Sequence, residues 1–266
     1  MNRPLIFAAA ATCAAILAGT APATSPPPLP PGLEGAALIA GETRADGSRL
    51  VALHLDLAPG WKTYWRSPGD TGVPPHFDWS GATNLAQATP HWPRPEIIES
   101  DGTSTLGYHD ELILPIELAA SDAGAVAGRL AVDLGICLNV CVPAHIDVAL
   151  PDPAAAPDPR VAAALALGPD AGNDPVTCTL TDIEDGVRVA ASVSAPNAAE
   201  GAAALELEAE GVWVSQPELS HDGQRLTATS DFVGPTGKPF ALDPAAVRLT
   251  LVGPAGAVEY QGCAPA

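Results

Sequence analysis

A two-residue alternation of apolar and polar side chains, cut at short intervals by proline and glycine, restricts the fold of this chain more than any other feature. Arg49-Leu-Val-Ala-Leu-His-Leu-Asp-Leu57 alternates and then runs into Ala58-Pro-Gly60. Successive side chains of a strand point to opposite faces, so this run predicts a strand ending in a turn. Leu112-Ile-Leu-Pro-Ile-Glu-Leu118, Gly128-Arg-Leu-Ala-Val-Asp-Leu134 and His145-Ile-Asp-Val-Ala-Leu150 repeat the pattern. Pro115 lacks a backbone N–H and therefore predicts an edge strand or a bulge. Between Trp61 and Pro95 the chain is rich in proline, glycine and aromatic residues and reads as long ordered loops.

The pattern pauses and then resumes. Pro151-Asp-Pro-Ala-Ala-Ala-Pro-Asp-Pro159 has the composition of a linker, and Arg160 to Leu167 has room for two turns of helix. Strands are predicted again at Val176-Thr-Cys-Thr-Leu180, Val187-Arg-Val-Ala-Ala-Ser-Val193, Val212-Trp-Val214, Leu226-Thr-Ala-Thr229, Val247 to Val252 and Ala257 to Tyr260. Asp185-Gly186 and Asp222-Gly223 fall between alternating runs, a strong hairpin signal. Strands at such spacing predict an all-β chain of two tandem immunoglobulin-like β-sandwiches. The expected division is 33–152 for the first, 153–175 for a linker with a short helix, and 176–266 for the second.

Arg3, the apolar run from Leu5 to Gly19 and the small-residue exit Ala21-Pro22-Ala23 describe a secretory signal peptide, residues 1–23, cleaved near Ala23. A Pro-rich linker, 24–32, follows. The apolar run is shorter than the roughly 20 residues of a spanning helix, and no later stretch reaches bilayer length. The expectation is therefore a periplasmic protein without direct membrane insertion. The net charge of −19 argues against nucleic acid and anionic lipid head groups as partners. It fits a solvated surface.

Of five cysteines, Cys13 leaves with the signal peptide. The other four are expected to pair in an oxidising compartment. Cys137 and Cys141 lie in Leu134-Gly-Ile-Cys-Leu-Asn-Val-Cys-Val-Pro143. Along a straight strand their Cα atoms would stand about 13 Å apart, whereas a disulfide needs less than about 7 Å. Pairing therefore requires a turn, which Gly135 and Asn139 permit, and Pro143 argues against a simple continuation of the ladder. So short a loop removes little chain entropy, which favours a redox role over a structural one. Cys178 and Cys263 sit on the first and last strands expected in the second half. They read as a structural bridge.

Metal binding is the rival reading. Cys137, Cys141 and His145 form C-x3-C-x3-H, a set able to hold copper(I) or zinc. Met1 is the only methionine, and His54, His76, His91, His109 and His221 show no ligand spacing. No cofactor is otherwise implied.

At this point the sequence resembles a known family. Gly60-Trp-Lys-Thr-Tyr-Trp-Arg-Ser-Pro-Gly-Asp-Thr-Gly72, Trp92-Pro-Arg-Pro95, Gly107-Tyr-His-Asp-Glu-Leu-Ile-Leu-Pro115 and Cys137-x3-Cys141-Val-Pro143 occur in that order. Together they are similar to the N-terminal periplasmic domain of the DsbD family of thiol:disulfide interchange proteins, in particular its ScsB-like branch, linked to copper tolerance. The resemblance covers roughly Leu33 to Leu150.

It implies a protein-disulfide reductase type of activity. Electrons would come from a membrane-embedded thiol reductase and pass to thioredoxin-fold periplasmic proteins. Cys141 would form the mixed disulfides and Cys137 would resolve them. Tyr64 and Trp65 match the family's site-lining strand. The family's cap loop corresponds to Glu99-Ser-Asp-Gly-Thr-Ser-Thr105, which has no aromatic residue; Leu106 and Tyr108 are the available substitutes. Glu99 or Asp101 beside the pair would raise a thiol pKa by like-charge repulsion. Full-length family members continue into a transmembrane and a thioredoxin domain, so a chain stopping at Ala266 is expected to borrow its reductant from a separate membrane protein.

Overall fold

Strand Arg49–Leu57 shows how the sequence pattern becomes structure. Val51, Leu53, Leu55 and Leu57 point into the main core, while Leu50 and Ala52 point the other way and are also buried. They are covered by helix Pro159–Leu165, whose Val161 packs on both. The helix is only seven residues long, too short to persist alone, and is fixed at its start. Pro159 occupies the first turn, and the Asp158 side chain accepts a hydrogen bond from the Arg160 backbone N–H. The expected two turns of helix are thus found, docked on the sheet rather than suspended in a linker.

The computed structural model describes residues 28–100, 102–194, 201–209, 211–254 and 256–266. The expected signal peptide, and Asp101, lie outside the described residues. What is described is almost entirely β-structure, and no helix in it is long and apolar enough to cross a membrane.

In the N-terminal half a four-stranded sheet has the order Leu33–Thr43, Arg49–Leu57, Glu111–Ala120, Leu85–Pro90. It faces a seven-stranded sheet across the core. The main path of that sheet is Cys141–Ala149, Ala127–Cys137, Lys62–Tyr64, Thr103–His109, Glu96–Ser100. His76–Asp78 and Ala82–Thr83 add onto Ala127–Cys137. The stretch expected to be loop between Trp61 and Pro95 thus carries four short strands. Three of them, Lys62–Tyr64, His76–Asp78 and Ala82–Thr83, are hidden from a periodicity reading by their brevity, because two or three residues do not establish an alternation.

The two prolines are corrected by sheet position. Pro115 lies in an interior strand, paired to Arg49–Leu57 on one side and Leu85–Pro90 on the other. Its carbonyl accepts from the His91 N–H at 2.8 Å, just past the end of the neighbouring strand. A residue's N–H and C=O point to the same side of a strand, so the missing donor falls where the neighbouring ladder stops. Pro143 does not end its strand either. It sits opposite Gly135 within Cys141–Ala149, which is an edge strand and tolerates a missing donor.

In the C-terminal half the order is Asp170–Ala171, Gly256–Gln261, Val247–Gly253, Ala202–Leu207 in one sheet. The other runs Trp213–Val214, Arg225–Val233, Val187–Ser194, Thr177–Asp182, Ala264–Pro265, with Glu218–Asp222 also on Arg225–Val233. The Asp185-Gly186 hairpin forms with Asp182 opposite Val187. Asp222-Gly223 also turns a hairpin, but the upstream strand is Glu218–Asp222 rather than Val212–Val214. Cys178 and Cys263 are joined, with Cα atoms 5.6 Å apart.

Both faces of the C-terminal four-stranded sheet are covered. Ala203, Leu205 and Leu249 turn toward their own core, while Ala204, Val252 and Ala257 join the core of the N-terminal half. The two halves therefore share a packed boundary, reached from the N-terminal half by Arg66 and Asp70.

Candidate functional site

The first cysteine pair sits at the tip of a long hairpin. Strands Ala127–Cys137 and Cys141–Ala149 pair without interruption from Arg129 opposite Ala149 to Cys137 opposite Cys141. Leu138-Asn139-Val140 makes the turn, with a backbone bond from Leu138 N–H to the Val140 carbonyl. Directly opposed residues place their side chains on one face, and the two Cα atoms are 4.1 Å apart with the sulfurs bonded. The break demanded by the disulfide is thus a three-residue hairpin turn.

Parity decides what surrounds it. Leu130, Val132, Leu134 and Ile136 fill the core, so Cys137 and Gly135 point to the outer face of the seven-stranded sheet. On the neighbouring strand Lys62 lies opposite Cys137 and Thr63 opposite Ile136, which puts Lys62 and Tyr64 on that outer face. Gly135 has no side chain there, and the Tyr64 ring occupies the space. A Cβ at Gly135 would come within 3.1 Å of the ring, and within 3.5 Å of Val73 on the loop that follows. The Thr63 hydroxyl, on the opposite face, donates to the Gly135 carbonyl at 3.0 Å and pins the two strands together.

The Tyr64 phenol ends 3.1 Å from Cys141 Sγ and 3.3 Å from Cys137 Sγ. In the disulfide neither sulfur carries hydrogen, so the phenol is the only donor. Burial pushes the Tyr64 pKa up and keeps that proton in place. The two sulfurs differ sharply in access. Cys137 is 0% exposed, whereas Cys141 is exposed, and Leu138 and Val140 of the adjoining turn are exposed apolar side chains.

The other expected site residues are not at the sulfurs. Trp65 is adjacent to Tyr64 and so faces the core, where it is fully buried with Arg66 stacked 4.2 Å over its ring. Tyr108 lies opposite Thr63 and also faces the core. It stacks on Trp92, donates its hydroxyl to the Pro93 carbonyl at 2.7 Å, and has a pKa driven well above normal by burial. Leu106, the other proposed substitute for the cap aromatic, is core as well. Glu99 belongs to edge strand Glu96–Ser100, three strands and about 14 Å from the strand of Cys137. It does not stand beside the pair.

His145 does not converge on the cysteines. It lies four residues along the strand from Cys141, about 13 Å away at strand rise. Its Nδ1 is 2.7 Å from Asp133 Oδ1, and that hydrogen bond raises the His145 pKa. Among the described residues no group of three or more His, Cys, Asp and Glu side chains is arranged to hold a metal.

Sequence reasoning missed Lys62 and Val73, and it gave Gly135 to the turn, whereas Gly135 lies within the ladder opposite Pro143. Lys62 and Gly135 sit inside the quoted motifs, and two-residue spacing from Tyr64 and Cys137 was the signal that would have put them on the disulfide face. It also missed Arg66. This side chain makes a two-pronged contact with Glu206 at 2.9 and 3.0 Å and pairs with Glu259, both on the C-terminal half. Burial opposes its charge, but the two carboxylates outweigh burial and raise its pKa. Asp70 accepts from the Gln216 N–H at 2.7 Å. The segment between Tyr64 and Val73 is therefore fastened to the C-terminal half.

Chemically, the arrangement offers one accessible sulfur for attack and one buried sulfur to leave, with a fixed O–H donor shared between them. Residues 34–153 match the family described as the N-terminal region of the thiol:disulfide interchange protein DsbD. The crystal structure of the N-terminal periplasmic domain of ScsB from Proteus mirabilis superposes with a TM-score of 0.57 at 24% identity, covering 87% of this chain and 92% of that one. That likeness is one of fold, and it extends through both halves. No curated protein sequence matches the chain.

Proposed function

We propose that the chain, whose residues 34–153 match the family of DsbD N-terminal domains, is a periplasmic dithiol electron carrier. Its N-terminal half is a thiol:disulfide interchange module. The carrier accepts reducing equivalents from a membrane-embedded thiol reductase and delivers them to thioredoxin-fold proteins. Each half is read as an immunoglobulin-like sandwich, the second holding the first through Arg66 and the Cys178–Cys263 bridge holding the second together. The observation that carries this reading is the asymmetry of the pair: Cys141 is exposed and Cys137 is fully buried beneath Tyr64.

In the exchange, a donor thiolate attacks Cys141 Sγ and a mixed disulfide forms. The Cys137–Cys141 bond breaks and its electron pair stays on Cys137 Sγ. The donor's second thiolate then attacks the donor sulfur of that mixed disulfide, leaving the donor as a disulfide and Cys141 as a thiolate. Cys141 next attacks a client disulfide, and Cys137 attacks Cys141 Sγ of the new mixed disulfide, which re-forms the Cys137–Cys141 bond and releases the client as a dithiol once its thiolates take up protons. The phenol of Tyr64 donates to the developing thiolate, a charge-assisted hydrogen bond stronger than a neutral one.

Two measurements test the proposal. Equilibration of the full chain in glutathione buffers should give the Cys137–Cys141 pair a potential in the range of exchange proteins, roughly −120 to −270 mV. A reduced Cys137→Ala variant should form a stable mixed disulfide with a thioredoxin whose resolving cysteine is replaced and whose remaining cysteine is activated. A potential below about −300 mV, or no covalent complex, would remove the carrier reading.

A further inference from the structure

Attack on Cys141 leaves a negative charge on a sulfur with no access to water, and a buried charge without compensation is strongly disfavoured. The Tyr64 hydroxyl supplies one hydrogen bond. The register supplies something more. Lys62 stands directly opposite Cys137 on the neighbouring strand, on the same outer face, and opposed Cβ atoms in a sheet lie about 4.5–5.5 Å apart. Lys62 is only 7% exposed, an uncommon environment for a lysine. Among the described residues it has no ion-pair partner.

The groups that face Cys137 from each neighbouring element leave Lys62 as the one cation opposed to it. Strand Cys141–Ala149 contributes Cys141 and, further along, His145, which is held by Asp133. Strand Lys62–Tyr64 contributes Lys62 and the Tyr64 phenol. The next strand places His109 opposite Lys62, and His109 Nδ1 is 2.8 Å from Glu96 Oε2, so that carboxylate is engaged. Asp110, beyond it, accepts from the Gly60 N–H at 2.7 Å. The described structure therefore presents a largely buried lysine whose cross-strand neighbour is the sulfur that must leave as an anion.

We propose that Lys62 is the built-in counter-charge for the Cys137 thiolate and promotes opening of the disulfide by stabilising Cys137 as the leaving group. The inference rests on the thiol-exchange reading and adds a charge-bearing residue to it. In the step concerned, the lone pair of the incoming thiolate forms the new bond to Cys141 Sγ. The old S–S pair is retained by Cys137, and the negative charge passes from reagent to Cys137. The reagent's sulfur is oxidised to the disulfide level, Cys137 is reduced, and no proton moves.

The test uses the full oxidised chain and 2-mercaptoethanol, with acid quenching and peptide mass mapping of the adduct on Cys141. Lys62→Met should slow adduct formation at neutral pH about tenfold, the effect expected for removing one nearby opposite charge. Lys62→Arg, which keeps the charge, should stay within about threefold of the wild type. The Lys62→Met deficit should persist in 1 M salt, where screening over about 3 Å abolishes steering by exposed charges. In the reduced protein, Lys62→Met should move Cys137 thiolate formation to higher pH. Unchanged rates in Lys62→Met, a deficit erased by salt, or an Arg variant as slow as Met would each overturn the inference while leaving the carrier reading intact. A wild-type bridge that no thiol opens would overturn both.

Discussion

The two disulfides close loops of very different length, and this difference sets up a quantitative contrast. Cys178 and Cys263 are 85 residues apart, Cys137 and Cys141 only four. In the chain-entropy treatment the first bridge removes about 4.6 kcal/mol of unfolded-state freedom and the second about 1.9 kcal/mol. Native contacts widen the gap. Cys178 is buried, and around it the C-terminus adds a short parallel strand, with Ala264 N–H on the Val176 carbonyl and Ala266 N–H on the Cys178 carbonyl, each at 3.0 Å. Losing the long bridge lets that segment go, whereas the hairpin at Cys137 is held by a continuous ladder without it.

The perturbation is a pair of double variants in the full chain, Cys178→Ala/Cys263→Ala and Cys137→Ala/Cys141→Ala, compared by urea unfolding under non-reducing conditions. The first should lose about 5 kcal/mol and the second about 2 kcal/mol or less. Stepwise reduction with dithiothreitol should open the exposed Cys137–Cys141 bridge first. Equal losses in the two variants, or prior opening of Cys178–Cys263, would refute the division into an exchange pair and a structural staple.

Arg66→Met should destabilise the chain by about 3 kcal/mol, because Glu206 and Glu259 lose a shared, largely buried counter-charge. A double-mutant cycle with Glu206→Gln should show a coupling well above 0.5 kcal/mol; additive losses would dismiss the clamp. Gly135→Ala should cost about 1–2 kcal/mol in urea midpoint experiments, since its methyl group meets the Tyr64 ring at 3.1 Å. If Gly135→Ala proved neutral, the tight fit of ring on strand would be wrong. The hydrogen bond from Asp133 raises the His145 pKa in the folded state. The stability this contributes is therefore fully present below the unfolded value, near 6.5, and fades as pH rises through the folded value. An NMR titration should show the His145 midpoint falling in Asp133→Asn; an unmoved midpoint would discount the contact.

Much of the architecture was legible because the signals involved are local. Arg49–Leu57 declares itself by alternation and Asp185-Gly186 by turn chemistry; each depends on residues within a few positions of one another. Strands of two or three residues, such as Lys62–Tyr64 and Ala82–Thr83, carry no period of their own and exist only because a longer neighbour offers them a ladder. Pro115 was misplaced for the same reason. Whether a missing N–H is harmful depends on where the adjacent strand ends, and that is not written locally.

The candidate site divides along the same line. The sequence by itself determined an almost wholly β chain, a short-spaced cysteine pair able to bond only across a turn, and motifs that point to thiol exchange. Tertiary structure decided which of two adjacent aromatics faces the sulfurs. It sends Tyr64 to them and Trp65 to the core, removes Tyr108 and Glu99 from the site, and sets Lys62 opposite Cys137. The physical reason is that a strand's side chains alternate, so shifting the register by a single residue exchanges its two faces. Register is fixed by pairing between segments up to scores of residues apart. Chemistry-bearing residues are therefore named by the local sequence, and their neighbours by the sheet.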